Sequence, residues 1–239
     1  VDQAIERVDE VIAKTERVKK GLMQEVLTKG IGHKSFKDTE IGRVPKEWKV
    51  VRLKDMGKVA TGKTPSTSNN IYWNGNIPFI TPADMKEGKY IYKTERYVTS
   101  QGARQVGNVL QKDSVLVVCI GSTIGKMGIT YTESVTNQQI NAIICNDEAN
   151  AHYIYYVITF RSEFLKSFSG VAAVPIIKKS LFELLKLPFP PLPEQEKIAE
   201  ILSTVDARLE LLREKKEKLG RVKKGLMNDL LTGKRRVKI

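Results

Sequence analysis

The chain has 239 residues, of which 41% are hydrophobic and 28% are charged, and its formal net charge at pH 7 is +13. This composition is that of a globular protein with room for one core and additional helices. No apolar run approaches the roughly 20 residues that a membrane span needs, and no signal peptide is visible. Cys119 and Cys145 lie in apolar runs, so we expect buried thiols in a reducing cytoplasm rather than a disulfide. Two cysteines and two distant histidines predict no metal site.

The positive charge is unevenly distributed along the chain. Residues 1–30 carry six basic and six acidic groups, residues 31–192 carry 21 and 13, and residues 193–239 carry 13 and 8. The surplus therefore lies in the middle region and in the basic tail. A basic domain beside a neutral helix predicts a polyanion partner for the domain and a protein partner for the helix.

The two ends of the chain carry copies of one helical repeat. Shifting residues 1–30 by 204 positions aligns fourteen identical residues without a gap, including RVKKGLM at 17–23 and 221–227. Apolar residues recur three and four positions apart in both copies, which indicates one seam and predicts an antiparallel helix pair. Residues 193–204 precede the second copy and have no counterpart before Val1. We therefore expect the chain to be part of a longer protein.

The middle region begins with a polar, glycine-bearing segment, residues 29–46, which reads as a linker, with a solvated His33. A strand is predicted at Glu47–Leu53. The sequence GKVATGKT at 57–64 matches the phosphate-loop pattern of nucleotide-binding proteins. That loop requires a helix directly after it, whereas PSTSNN follows here and favours a turn. A phosphate-loop enzyme stays open as the less favoured alternative.

Further along, a short helix is predicted at residues 100–106, a buried strand at 114–120 and another strand at 127–131. Residues 135–144 form an apolar stretch interrupted by four amides, which we interpret as a buried hydrogen-bonded network rather than as DNA contacts. An aromatic helix at 153–168, a short helix at 181–185 and an extended proline-rich run at 187–193 follow. One long helix is predicted from Pro193 to about Thr232.

Three polar segments of the middle region carry side chains suited to a nucleic acid. Hydroxyls and amides of a loop at 61–75 can hydrogen-bond base edges or phosphates, and two lysine-bearing segments can bind phosphates. A loop merely held by its aromatic residues is the alternative. The predicted phosphate contacts are Lys63, Lys126, Lys178 and Lys179, the predicted base readers are Ser66, Thr67, Asn69 and Asn70, and the remaining candidates are Thr64, Ser122 and Thr123.

Several of these segments together resemble the specificity subunit of type I restriction-modification systems. The resemblance covers nearly the whole chain and rests on the long helix that starts EQEKIA, on the repeated RVKKGLM, and on three stretches between them. These stretches are IGRVPKEW at 41–48, Gly121-Ser122 and TNQQ at 136–139. Within that family, the chain resembles the second half: a central helix, the second target-recognition domain and a distal helix.

The resemblance implies an α+β fold with a mixed-sheet target-recognition domain at 31–192. Helices at 1–30 and 193–239 are expected to flank it and form an antiparallel coiled-coil stalk. It implies a subunit without catalysis that reads one half of a bipartite site in double-stranded DNA. It also implies modification and restriction subunits as partners, with S-adenosylmethionine, ATP and magnesium on those subunits. Self-association of half subunits is a further possibility, and a coiled-coil adaptor without DNA binding is the remaining alternative class.

Overall fold

The structure is a computed structural model that describes residues 1–86, 88–167 and 175–233. The described α-helices, in chain order, are α1 (Asp2–Thr28), α2 (Ser100–Val106), α3 (Ala151–Phe160), α4 (Ser162–Ser167), α5 (Lys179–Glu183) and α6 (Leu192–Leu231). The described strands are β1 (Phe36–Thr39), β2 (Gly42–Pro45), β3 (Lys49–Arg52), β4 (Gly57–Thr61), β5 (Trp73–Ile80), β6 (Tyr90–Ile91), β7 (Arg96–Val98), β8 (Val115–Val118), β9 (Met127–Thr130), β10 (Val135–Thr136), β11 (Ile140–Cys145) and β12 (Lys186–Phe189). The predicted basic tail at 234–239 and the end of the predicted helix at Phe168 lie outside the described residues.

The described residues divide into two compact units. The helical unit contains residues 1–22 and the residues from 201 onward, and the globular unit contains residues 23–200. The long helix α6 confirms the helix predicted from Pro193 to about Thr232. Its proline is the second residue of the helix, in the first turn, where a missing backbone N–H costs no intrahelical hydrogen bond.

Ion pairs between α1 and α6 show that the two helices run antiparallel in the helical unit. As α1 is followed toward its C-terminus, its partners move toward the N-terminus of α6: Asp2–Lys223 (2.6 Å), Asp9–Lys216 (2.6 Å), Glu16–Arg213 (2.9 Å) and Lys19–Asp206 (2.5 Å). The first and last pairs are equivalent under the repeat, because Asp206 corresponds to Asp2 and Lys223 to Lys19. The pair is therefore close to twofold symmetric, and the predicted antiparallel coiled coil is confirmed.

The predicted apolar seam of the helical unit is interrupted by exposed residues, which are Val1, Leu230 and the repeat-related pair Val18 and Val222. Val8 and Leu209 are buried, with exposed fractions of 6% and 4%. Val18 and its repeat equivalent Val222 are both exposed, so the seam predicted through them is wrong at these positions. The cause is the local residue spacing, which turns these side chains away from the face that the other seam residues share.

The larger sheet of the globular unit has the strand order β4-β11-β8-β9-β6. Strand β6 is parallel to β9 and every other neighbouring pair is antiparallel, which makes the sheet mixed as predicted. All four residues of the central strand β8 are buried, as its continuous apolar sequence requires. The core on this sheet consists of Ala60, Ile80, Met85, Leu110, Leu116, Val118, Ile140 and Ala142.

A smaller sheet has the order β10-β5-β7 and packs against helix α2. Helix α2 has the predicted bounds, and the Thr99 side chain caps it by accepting a hydrogen bond from the Gly102 amide at 3.2 Å. The register of β5 against β7 shifts between Trp73 and Ile77. Buried residues of this sheet and α2 form a second core: Trp73, Phe79, Val98, Ala103, Val106 and Val135.

The segment predicted as a linker, residues 29–46, contains the antiparallel hairpin β1-β2 instead. Residues on both sides of the hairpin bind the carboxylate of Glu194. It accepts hydrogen bonds from His33 Nε2 at 2.9 Å and from the Trp48 indole at 2.9 Å. His33 is therefore bound by protein groups and not solvated. The sequence pattern missed this because the contacts join residues far apart in the chain. Likewise, the proline-rich run begins as strand β12, which pairs with β3.

Candidate nucleic-acid interface

The loop after β4 is attached at its start to a turn formed by Asn137–Gln139, which we call the amide turn. The Lys63 amide donates to the Thr136 carbonyl at 3.0 Å, and the Thr64 hydroxyl donates to Gln138 Oε1 at 2.7 Å. A Cβ atom on Gly62 would lie 2.3 Å from the Thr136 and Asn137 carbonyl oxygens, so only glycine fits at the junction.

The GKVATGKT segment does not form a phosphate loop. Strand β4 ends at Thr61, and no α-helix starts between Gly62 and Thr99, all of whose residues except Glu87 are described. The amides after Lys63 therefore do not converge as they do at a helix N-terminus. This geometry contradicts the alternative of a phosphate-loop enzyme.

Two more candidate segments begin beside the amide turn. The Cys119 amide donates to the Gln139 carbonyl at 2.8 Å, and the Gly121 amide donates to the Pro175 carbonyl at 3.0 Å. Gly121 has a φ of 96°, which opens the tight turn that contains Ser122 and Thr123. The Ile177 amide bonds back to the Cys119 carbonyl at 2.8 Å, directly before Lys178. The three lysine-bearing segments therefore meet around the amide turn.

The candidate lysines differ in what they contact. Lys126 is half-buried and donates to the Pro82 carbonyl at 3.0 Å, and Lys179 lies 3.5 Å from the Glu183 carboxylate. Lys63 and Lys178 are exposed, and neither forms an ion pair with the residues that the structure describes. Lys63 and Lys178 are consequently the best placed of the four to bind an external anion.

The second half of the loop leads into β5 of the smaller sheet. The Ser66 carbonyl accepts the Trp73 indole N–H at 3.0 Å, and Asn69 Oδ1 accepts the Ile71 amide at 3.1 Å. Asn69 is therefore engaged in capping a short 3₁₀ turn. Thr67 and Asn70 line an open cleft of about 310 Å³, whereas Ser66 is exposed outside the lining of that cleft.

The amides between β10 and β11 confirm the predicted structural network. Asn137 Nδ2 donates to Gln139 Oε1 at 2.9 Å, and Asn141 Oδ1 accepts the Thr61 hydroxyl at 2.7 Å. Asn137 and Asn141 are buried, so these bonds satisfy polar groups that would otherwise be costly. Gln138 differs, because its side chain is exposed beside Thr64.

Sequence reasoning missed Arg96, which lines the same cleft as Thr67 and Asn70. Its guanidinium carbon lies 3.6 Å from the ring centroid of Trp73 and 5.5 Å from that of Phe79. Antiparallel pairing of β5 with β7 creates this contact between residues distant in sequence. The sequence around Arg96, a short strand with Tyr97 next to it, gives no local signal that the arginine stacks on Trp73.

Tyrosines lie at the sheet edge opposite β4, on and around β6. The ring centroids of Tyr92 and Tyr131 are 4.7 Å apart, and Lys112 lies 6.0 Å from the centroid of Tyr131. Burial raises the pKa of Tyr90 and lowers the pKa of the neighbouring His152. This tyrosine edge is a second exposed surface with aromatic and basic side chains, and four strand spacings of about 4.8 Å separate it from β4.

The cysteines, the possible metal ligands and the helices bear on three further predictions. Cys119 is a buried free thiol, as predicted, whereas Cys145 is a free thiol that is only partly buried. Burial raises the pKa of each to about 12. Within residues 1–86, 88–167 and 175–233, no three histidine, cysteine or acidic side chains form a group that could hold a metal ion. In the same ranges, no helix is long and apolar enough to cross a membrane.

The fold and this loop surface define a class of protein, an α+β domain attached to paired helices. Residues 45–221 match the family model described as the type I restriction modification DNA specificity domain. The chain belongs to this family.

Curated relatives agree with the family match. The chain is 36% identical over 191 residues to the MjaIX type I restriction enzyme specificity subunit of Methanocaldococcus jannaschii, which covers 78% of this chain and 44% of the relative. It is 30% identical over 241 residues to a second protein of that organism, described as the putative MjaX specificity subunit, covering 99% of this chain and 55% of the relative. The chain spans about half the length of the curated relatives it matches.

A solved structure supports the fold. The HsdS subunit from Thermoanaerobacter tengcongensis superposes with a TM-score of 0.65 at 18% identity, covering 96% of this chain and 53% of that one. The family membership and this likeness confirm both the predicted α+β fold with mixed sheets and the predicted resemblance.

Proposed function

We propose that this chain reads one half of a bipartite DNA target and performs no chemistry of its own. The observation that carries the proposal is the meeting of three lysine-bearing segments at the amide turn, where Lys63 and Lys178 have no ion-pair partner among the described residues. Membership of the DNA specificity family supplies the polyanion that such a surface fits. Duplex DNA presents a dense row of phosphates to it.

The two halves of the surface supply different parts of DNA recognition. Lysines around the amide turn bind phosphates, which fixes position without reading sequence. The cleft with Thr67 and Asn70 presents hydroxyl and amide groups, which can pair with base edges in the major groove. Ser66, Asn69, Ser122 and Thr123 border these groups, and the bonds of Ser66 and Asn69 hold the loop in shape.

The helices bind the protein partners in this proposal. Four charged residues of α1 pair with four of α6, which suits a surface that binds protein rather than DNA. Modification subunits dock there and supply S-adenosylmethionine chemistry, while restriction subunits join the assembled complex and use ATP and magnesium. This chain recognises the target sequence. It does so in the cytoplasm, where its thiols stay reduced.

Self-association is the second part of the proposal, and it rests on unequal burial of repeat-related residues. Met23 and Leu27 have exposed fractions of 8% and 1%, whereas their equivalents Met227 and Leu231 have exposed fractions of 50% and 83%. We infer that a second copy of the chain covers Met227 and Leu231. Sedimentation should show dimers of the wild type at micromolar concentration and monomers for Met227→Asp. A wild type that stays monomeric would exclude this contact.

The experiment for DNA reading is selection of duplexes from a random library by the chain assembled with its modification subunit. Enrichment of a short motif is expected, together with loss of the enrichment for Asn70→Ala. A library that emerges unenriched would favour the coiled-coil adaptor. If substitutions in the cleft and of the lysines leave the enrichment unchanged, the tyrosine edge becomes the inferred DNA-binding surface.

A further inference from the structure

The stacked arginine of the cleft has a more specific role than its neighbours. Arg96 lies at the start of β7, with its guanidinium 3.6 Å from the Trp73 ring centroid. Contact with an aromatic face at this distance is attractive and holds a guanidinium parallel to the ring. The Trp73 ring is itself fixed, because its N–H donates to the Ser66 carbonyl and it forms a T-shaped contact with Phe79 at 5.2 Å between ring centroids.

The donors of this guanidinium are available. Arg96 is exposed, and its guanidinium forms no hydrogen bond or ion pair within the described ranges, although Glu95 lines the same cleft. A planar group with five N–H donors and no acceptor is therefore held in one orientation at the cleft. These N–H donors are therefore open to water or to an acceptor on a bound molecule.

The backbone beside Arg96 is shaped to keep the cleft open. Asn74 has a φ of 63°, a left-handed conformation that asparagine tolerates better than most residues. A Cβ atom on Gly75 would lie 2.3 Å from the Val98 carbonyl oxygen, so the strands approach too closely there for a side chain. The resulting irregularity places Asn74 and Asn70 in the lining of the cleft with Arg96.

We propose that Arg96 reads a guanine, donating two parallel hydrogen bonds to its O6 and N7 atoms in the major groove. This inference rests on the proposed function and names one base of the target. A rigid two-donor fork fits the two in-plane acceptors of guanine. A stacked guanidinium can also bind a phosphate through two parallel hydrogen bonds. The position of Arg96 in the cleft beside Thr67 and Asn70, the two proposed base readers, favours the base over the phosphate.

The test uses the chain assembled with its modification subunit and the duplex that selection identifies. Each guanine is replaced in turn by 7-deazaguanine, which lacks the N7 acceptor. The wild type should lose about 5- to 10-fold in affinity at one position, the share of one bond in a bidentate pair. Arg96→Ala should bind the natural duplex weakly and lose this sensitivity to 7-deazaguanine.

Arg96→Lys separates base reading from charge, and Arg52→Ala on β3 is the control for loss of an arginine elsewhere. The lysine variant should fail to restore the sensitivity, and the control should retain it. Recovery of full affinity by the lysine, or equal weakening of all duplexes by Arg96→Ala, would overturn the guanine assignment. Thermal melting of each variant shows whether the fold is intact.

The proposed function and this inference fail in different ways. A wild-type complex without sequence preference would contradict DNA reading itself. A wild type that selects a motif lacking guanine, or whose guanine sensitivity survives in Arg96→Ala, would leave DNA reading in place and overturn only the role of Arg96.

Discussion

Two lysines of the helical unit and two of the loop surface are in opposite situations. Lys216 and Lys223 each lie 2.6 Å from a carboxylate on the facing helix. Lys63 and Lys178 are exposed beside the amide turn and have no such partner among the described residues. These four lysines thus have different roles: Lys216 and Lys223 pair across the helices, whereas Lys63 and Lys178 form an open positive surface.

This difference shows that net charge alone does not locate a binding site. An exposed ion pair contributes only about 0–1 kcal/mol to stability, so the helical unit depends on its buried seam. A lysine already paired with a carboxylate also releases few counterions when DNA approaches, whereas an unpaired lysine releases about one. Affinity for DNA should therefore come from the loops, and stability of the helix pair from apolar burial.

The largest effect is expected for a charge introduced into the seam. Leu209→Asp places a carboxylate at a position that is 4% exposed and should lower the free energy of unfolding by about 3 kcal/mol or more. Leu211→Asp is the matched control, because Leu211 is 66% exposed on the same helix. Urea unfolding followed by helical circular dichroism measures both. Equal losses for the two variants would contradict the buried seam.

A smaller effect is expected at the junction between β4 and its loop. Gly62→Ala forces a methyl group to within 2.3 Å of two backbone oxygens and should cost about 1–3 kcal/mol. It should also weaken DNA binding, because Lys63 and Thr64 move with the loop. Gly220→Ala is the control in α6, where nothing lies within 4 Å and alanine should stabilise the helix by about 0.5–1 kcal/mol. Thermal melting and duplex titration distinguish the two outcomes.

A substitution in the cleft should weaken binding of the cognate duplex only. Asn70→Ala should lower affinity for the selected duplex by about 1–3 kcal/mol and leave affinity for a scrambled duplex unchanged. Asn108→Ala, outside the cleft, is the comparison variant, since its amide donates to the Thr61 carbonyl at 3.3 Å. If Asn70→Ala weakens both duplexes equally, the cleft does not read bases.

The helical unit was predictable from the sequence, and the loop surface only in part. A repeat with regular spacing predicts where both helices lie and which face of each contacts the other, because the apolar period alone determines that face. Nothing local brings Lys63, Ser122 and Lys178 together. Their meeting depends on hydrogen bonds to the amide turn that join distant segments.

The same reason explains the specific misses. The contact of Arg96 with Trp73 exists because β7 pairs with β5. The local sequence of neither strand predicts which strand it pairs with. The β1-β2 hairpin was missed because its strands are short and mostly polar, and His33 was misread because its partner Glu194 is remote. Helix α2 was found with correct bounds since its capping residue, Thr99, and its final Gly107 are both local signals.

The most direct test of the contrast between the two units compares two double variants that remove the same charge. The logarithm of DNA affinity is measured against the logarithm of salt concentration for Lys63→Ala/Lys178→Ala and for Lys216→Ala/Lys223→Ala, each assembled with the modification subunit. The loop variant should lower the magnitude of the slope by about two, and the helix variant should leave it unchanged. Equal slopes for both variants, or a larger change for the helix variant, would contradict the assignment of DNA to the loop surface.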